Sequence, residues 1–234
     1  MQVLLFLHRL YFFVILNIRN KKTYKMKKII FLFIISSLIS IKGIGLTLSP
    51  ETEVSILTCA PGNELYSLFG HTAIRINDPR HQIDRVYNYG TFDFSTPHFY
   101  LKYARGLLPY QLTVQKFSHF IYNYQLEERT VYAQTIRLDS LEKQRIFDLL
   151  EENLLPQNRY YLYNFLFDNC TTRSRDILLK SLPDSVAWNM PDVNKNFWNL
   201  LDEYLQASPW VQWGIHTILG QRGNRMAKIG RAHV

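Results

Sequence analysis

Cys170 stands in the run Asp168-Asn-Cys-Thr-Thr-Arg173. Asp168 and Asn169 have side chains that cap helices, and Ile177, Leu178 and Leu182 follow at helical spacing. A helix is therefore expected from Cys170 to about Leu182. A cysteine in a first helical turn meets unpaired amide N–H groups and the positive end of the helix dipole. Both favour the thiolate, which is the nucleophilic form. A lone cysteine is often an inert core residue, but Asn169, Thr171, Thr172 and Arg173 are poor company for a core. The natural base is His71, which follows Gly70 and opens a β-branched and apolar run to Ile76. Its ring would stand at a sheet edge. His81 and His98 fall in loop-like stretches, and His119 and His216 in helical ones. A third group usually orients the imidazole. Asn88, on the strand after His71, is the first choice, with Asp84 and Asp93 as alternatives; alternation alone does not say which face meets His71.

Other chemistry fits less well. His71, His81, Asp78 and Asp84 match no metal-ligand spacing, and a turn rich in Asp and Asn explains them. A disulfide between Cys59 and Cys170 is conceivable in an oxidising compartment, but it would waste the helix-start setting of Cys170. Gly62, Gly70 and Gly90 form no phosphate loop. Neither a metal nor a cofactor is expected.

The elements that must hold these residues read as an α+β domain. Strands are expected at Glu53–Thr58, His71–Ile76, Arg85–Phe92, Tyr110–Gln115 and Thr130–Leu138, from alternation and β-branched content. Ala60–Asn63 and Asn77–Pro79 are turns, and Glu64–Phe69 a short helical turn. Phe99–Tyr103 and Lys116–Glu127 read as helices. Asp139-Ser-Leu-Glu142 is a capping box opening a helix that Pro156 ends. Tyr160–Phe167 is a strand-like aromatic run. Past Pro183 a loop rich in Pro, Asp and Asn leads to helices at Phe197–Gln206 and Trp210–Leu219. The 15 Tyr and 15 Phe suit strands and large buried surfaces.

The net charge of +8 suggests a nucleic-acid binder until it is located. Eight of the 27 basic residues and none of the 19 acidic ones lie in the first 45 positions. The rest is neutral and has no nucleic-acid motif. The basicity belongs to a leader. Met26-Lys-Lys28, the apolar run from Ile29, and Gly43 and Gly45 have the order of a signal peptide cleaved after Gly45. The apolar runs Val3–Ile18 and Ile29–Ile41 are shorter than the about 20 residues of a spanning helix. No lipobox precedes Cys59. The final six residues can be encoded by ATC GGA AGA GCA CAC GTC, a common sequencing-adapter string. The expected organisation is an upstream gene-calling extension at 1–25, a signal peptide at 26–45, the α+β domain at 46–183, a helical addition at 184–228 and an adapter-derived tail at 229–234.

Three ordered motifs carry a family resemblance. Leu57-Thr-Cys-Ala-Pro-Gly-Asn-Glu-Leu-Tyr-Ser-Leu-Phe-Gly-His-Thr-Ala-Ile-Arg-Ile76, Val86-Tyr-Asn-Tyr-Gly-Thr-Phe-Asp-Phe94 and Asp168-Asn-Cys-Thr-Thr-Arg173 resemble the Lnb N-terminal periplasmic domain family, over most of residues 50–228. The resemblance implies an exported protein with lipoprotein N-acyltransferase activity, which moves an acyl chain from a phospholipid to a lipoprotein's N-terminal amine. Members of that type continue into membrane helices. More distantly, His71, Asn88 and Cys170 follow the order of permuted papain-like enzymes such as lecithin:retinol acyltransferase. There the third position is commonly His; here it is Asn88.

The expectation is thus a permuted papain-like α+β enzyme with Cys170 as nucleophile, His71 as base and Asn88 as orienting group. The Cys170 amide and a neighbouring one would hold the oxyanion. The partners would be a phospholipid, a lipoprotein and a membrane surface, the last met by Trp198, Trp210, Val211, Trp213 and Ile215 unless that helix packs on the domain. A peptide or cell-wall hydrolase, a phospholipase and a non-catalytic lipid- or lipoprotein-binding module are the rival readings.

Overall fold

Hydrophobic alternation produces one antiparallel sheet of six strands among the described residues. The computed structural model describes residues 45–64, 66–99, 102, 106–182 and 194–227. The strands are β1 (Glu53–Cys59), β2 (His71–Asp78), β3 (Ile83–Phe92), β4 (Pro109–Lys116), β5 (Val131–Thr135) and β6 (Tyr160–Leu162). Their order is β5-β1-β2-β3-β4-β6, so the strands bearing His71 and Asn88 are adjacent and central. The helices are α1 (Phe117–Leu126), α2 (Ser140–Leu154), α3 (Cys170–Ser181), α4 (Phe197–Leu205) and α5 (Pro209–Leu219), followed by a 3₁₀ turn at Gly220–Asn224.

The period-2 pattern puts a different core on each face. Val54, Ile74, Ile76, Tyr87 and Tyr89 pack with Ile146, Phe147 and Leu150 of α2 and Ile177 of α3. On the other face Leu57, Cys59, Ala73 and Val86 meet Phe120 of α1. The alternate residues of β2 thus send Ala73, and with it His71, to the α1 face, and Ile74 to the α3 face. At the far end of β2, Asp78 is fully buried. It accepts hydrogen bonds from the Ser49 amide at 2.8 Å and the Ser49 hydroxyl at 2.7 Å, and pairs with His81 at 2.8 Å.

The capping box at Asp139 and Glu142 forms as read, with both bonds at 2.8 Å. Three local expectations are corrected. The run at Tyr160–Phe167 is a strand only to Leu162, because the Asn164 side chain accepts from the amides of Leu166 and Phe167 and turns the chain. The strand expected at Thr130–Leu138 is confined to Val131–Thr135. Ser67–Phe69 form hydrogen-bonded turns rather than a helix. The leader, most of the helix expected at Phe99–Tyr103, the Pro-rich loop at 183–193 and the tail from 228 lie outside the described residues. The described residues from Thr47 onward form one compact unit, in which the α+β core and the later helices both lie. Among the described residues no helix is long and apolar enough to cross a membrane.

Candidate active site

Two backbone devices place His71. Gly70 has φ +71°, a left-handed conformation, and a Cβ there would lie 2.5 Å from the Cys59 carbonyl oxygen. Only glycine lets the chain turn this tightly into β2. The turn sets His71 directly across from Cys59 in the β1–β2 ladder. The imidazole then lies against Gly90 of β3, where a Cβ would stand 2.6 Å from its Cε1 and 3.1 Å from its Nδ1. The absence of a side chain at position 90 is therefore what gives the ring its place.

Cys170 is the first residue of α3, as the capping residues predict. Asn169 is the cap: its Oδ1 accepts from the amides of Thr171 and Thr172, both at 3.0 Å, and Thr172 Oγ1 accepts from the Asn169 amide at 2.8 Å. Asp168 does different work. Arg173 donates to both of its oxygens, at 2.6 and 2.8 Å, while its guanidinium lies 3.7 Å from the centre of the Tyr161 ring. Tyr161 in turn donates to the Tyr89 carbonyl of β3. A hydrogen bond of 2.9 Å between the hydroxyls of Thr72 and Thr171 ties β2 to the start of α3. The helix start is thus braced against the two strands that carry His71 and Gly90.

This brings Cys170 and His71 together. Burial raises the cost of a thiolate at Cys170. The hydrogen bond and charge of His71, the Thr72 amide and the Thr171 hydroxyl outweigh it and bring the thiol down to about 7. The two threonines were not singled out by the sequence; they sit one residue past His71 and Cys170, a spacing that becomes meaningful only when strand and helix meet.

Asn88 lies in the same recess. Its Oδ1 accepts from the Gly90 amide at 2.8 Å, so it shapes the backbone on which the imidazole rests. The Nε2 of His71 is buried with no hydrogen-bond partner. The two alternatives for the third group are engaged elsewhere: Asp84 pairs with Arg75 at 2.7 Å, and Asp93 caps the turn at Ser95. His81 is bonded to Asp78 and His216 to Asp202, each at 2.8 Å. One expectation for the oxyanion donors is corrected. The amides of Thr171 and Thr172 are taken by the Asn169 cap, which leaves the Cys170 amide as the helix-start donor that the cap does not use.

Cys59 and Cys170 are both free thiols. Burial pushes the Cys59 thiol up to about 11, against the lowering effect of a Tyr124 hydrogen bond and the Arg129 charge. Cys170 and His71 line two recesses at once. One is a cavity of about 1220 Å³ with mostly apolar and aromatic walls, among them Phe69, Phe165, Leu178, Phe197 and Tyr204. The other is a smaller recess of about 310 Å³ on the Asn88 and Gly90 side, with Glu127 and Arg129 on its wall. Ring contacts between Phe69 and Phe165 (4.9 Å) and between Phe69 and Tyr204 (5.9 Å) join α4 to the core around the large cavity. The helical addition therefore forms part of the cavity wall.

Among known proteins, no curated protein and no solved structure matches the chain. A family model does: that of the Lnb N-terminal periplasmic domain matches residues 47–202, more than half of the chain. The matched span contains all three motifs and both members of the Cys–His contact. Since the family consists of periplasmic domains, the protein is an exported one, and the chain belongs to the Lnb N-terminal periplasmic domain family.

Proposed function

We propose that this domain is a thiol-dependent acyltransferase, which moves an acyl chain from a phospholipid through a Cys170 thioester to the N-terminal amine of a lipoprotein. The observation that carries the reading is a cysteine at a helix start beside a histidine, both on the wall of a large apolar cavity. Small-molecule sites usually occupy about 300–1,000 Å³; about 1220 Å³ of apolar space suits a lipid chain better than a polar peptide. The order His71 on β2, Asn88 on β3 and Cys170 at the start of α3 supports the permuted papain-like arrangement.

The reaction proceeds in two halves. The Cys170 thiolate, its proton held by His71, attacks the ester carbonyl carbon, and the Cys170 amide stabilises the oxyanion. The C–O bond breaks, and His71 gives its proton to the departing lysophospholipid oxygen. The acceptor amine then attacks the thioester and His71 takes the amine's proton. The C–S bond breaks, which returns the Cys170 thiolate and leaves an amide. No external oxidant, metal or cofactor enters this balance. Asn88 is a positioning residue, which orients His71 through Gly90. The second, smaller recess gives the acceptor an approach separate from the acyl chain, which favours transfer over hydrolysis.

The test is mass spectrometry of the chain expressed in its exporting host and recovered with membranes. A hydroxylamine-labile acyl group on Cys170, absent from Cys170→Ala and His71→Ala, is expected. Adding a lipoprotein peptide should discharge it to an N-acyl peptide; discharge to free fatty acid alone would make the protein a phospholipase. If Cys170→Ala left lipoprotein acylation unchanged, the nucleophile would be wrong and a binding module would replace the enzyme.

A further inference from the structure

We propose that α5 and the 3₁₀ turn after it form a docking surface for an anionic phospholipid bilayer. The inference does not depend on acyl transfer, because it rests on the exposed residues of α5 and its following turn rather than on the Cys170–His71 pair. Helix α5 reads Pro-Trp-Val-Gln-Trp-Gly-Ile-His-Thr-Ile-Leu, without one formal charge, yet none of its 11 residues is buried. Trp210 is 85% exposed, Trp213 67% and Ile218 54%. Apolar helices in soluble domains ordinarily hide one stripe, and this one shows a run of large apolar side chains to solvent.

The exposure is not that of a loose element. His216 on α5 bonds Asp202 on α4 at 2.8 Å, and Trp198 of α4 stacks on the His216 ring at 5.3 Å. Trp198 also packs so closely on Gly223 that a Cβ there would collide with its indole. Leu201 and Leu205 of α4 are buried. Trp198 thus belongs to the interior of the addition, while Trp210 and Trp213 form its outward side.

Charge selects the occupant. From Ala207 to Ala227 there is no acidic residue, and Arg222 and Arg225 are exposed. Neither arginine is in an ion pair with a described residue. Exposed tryptophans on a helix followed in the next turn by exposed arginines match the headgroup zone of an anionic bilayer, where indole rings settle and cations are attracted. A second copy docked on the same face through a two-fold axis would bring like charges together. Eleven residues span only about 16 Å, so α5 would lie in the interface rather than cross it. Arg225 and Met226 also line the large cavity, so docking there sets its wall at lipid level.

The experiment uses the exported chain with vesicles of phosphatidylcholine alone or mixed with phosphatidylglycerol. Flotation measures binding, and hydrogen exchange locates it. Amides of residues 209–224 should gain protection with anionic vesicles and not with neutral ones. Trp210→Ser with Trp213→Ser should lower binding more than about ten-fold. Arg222→Gln and Arg225→Gln should each lower it about five-fold at low salt. Both tryptophans are exposed, and an unchanged rate of Cys170 alkylation in the variant verifies the fold. Cys170→Ala should bind vesicles as well as the parent chain, so loss of acylation with intact binding would remove only the enzymatic reading. Vesicle binding that leaves 209–224 unprotected, or that survives the double tryptophan change, would overturn the proposal. So would self-association that the same change abolishes without any lipid binding.

Discussion

Cys59 and Cys170 are chemically the same residue, both free, and each meets His71: Cys59 as its ladder partner across β1–β2, Cys170 through its thiol. Their surroundings shift their acidity in opposite directions. Cys59 lies within an apolar cluster with Leu57, Ala73, Val86 and Phe120, and its thiol is pushed up to about 11. Cys170 begins a helix, with donors from His71, Thr72 and Thr171 on its sulfur, and comes down to about 7. Burial acts in the same direction on both. The difference lies in what touches the sulfur: for Cys170 the surrounding donors exceed the cost of desolvation, for Cys59 they do not.

The largest effect should come from deleting the sulfurs one at a time. Cys170→Ala should reduce acyl transfer by at least about 10³-fold, whereas Cys59→Ala should leave the rate within about two-fold and cost about 1 kcal/mol of stability. Acylation assays paired with denaturant titration check both. Equal loss of activity in the two variants would erase the distinction between them.

Next comes the origin of the lowered pKa. Alkylation of Cys170 by iodoacetamide should rise with pH and reach half its maximum near pH 7, because the thiolate is the reactive form and its fraction grows as pH passes the pKa. In His71→Ala the half-point should move upward, toward the ordinary thiol value, and reactivity at pH 7 should fall by more than about ten-fold. Cys59 should stay unmodified over the same range until the chain unfolds. An unmoved Cys170 profile in His71→Ala would assign the shift to the helix start and the threonines instead.

A smaller effect is expected one step back from the sulfur. Gly90→Ala places a methyl group 2.6 Å from His71 Cε1, so the ring must move. Transfer should fall by about 10²-fold, as displacements near 1 Å do, while the alkylation half-point rises and Cys59 remains protected. Smallest of all, Thr171→Val removes one weak donor, 4.0 Å from the Cys170 sulfur, and the bond to Thr72. It should raise the Cys170 half-point by a fraction of a unit and cost about 1 kcal/mol of stability. A Thr171→Ser variant, which keeps the hydroxyl, should restore both readings.

Much of this arrangement was legible in the residues themselves. The caps at Asp139 and Asn169 lie where Ser, Asp and Asn chemistry puts them, because a helix start is a local affair of a few amides and one side-chain oxygen. Alternation located the first four strands, since a sheet with a core on either face imposes period 2. The aromatic run at Tyr160–Phe167 misled, because its β-forming composition hid a turn made by one Asn164 side chain. Which group approaches the imidazole was not legible at all. Asn88 stands on the expected strand, but its oxygen goes to Gly90, and this is a matter of which lone pair finds which amide across a strand bulge.

Residue identity and local spacing therefore determined the helix start under Cys170, the strand start at His71 and the family membership those motifs carry. They could do so because caps, turns and strand periods are written over fewer than about ten neighbouring positions. Tertiary structure alone decided that His71, Thr72 and Thr171 converge on the Cys170 sulfur, that Gly90 makes room for the imidazole, and that the later helices wall a cavity of about 1220 Å³. Each of these depends on contacts between segments tens of residues apart, whose geometry is settled by packing and not by any local rule.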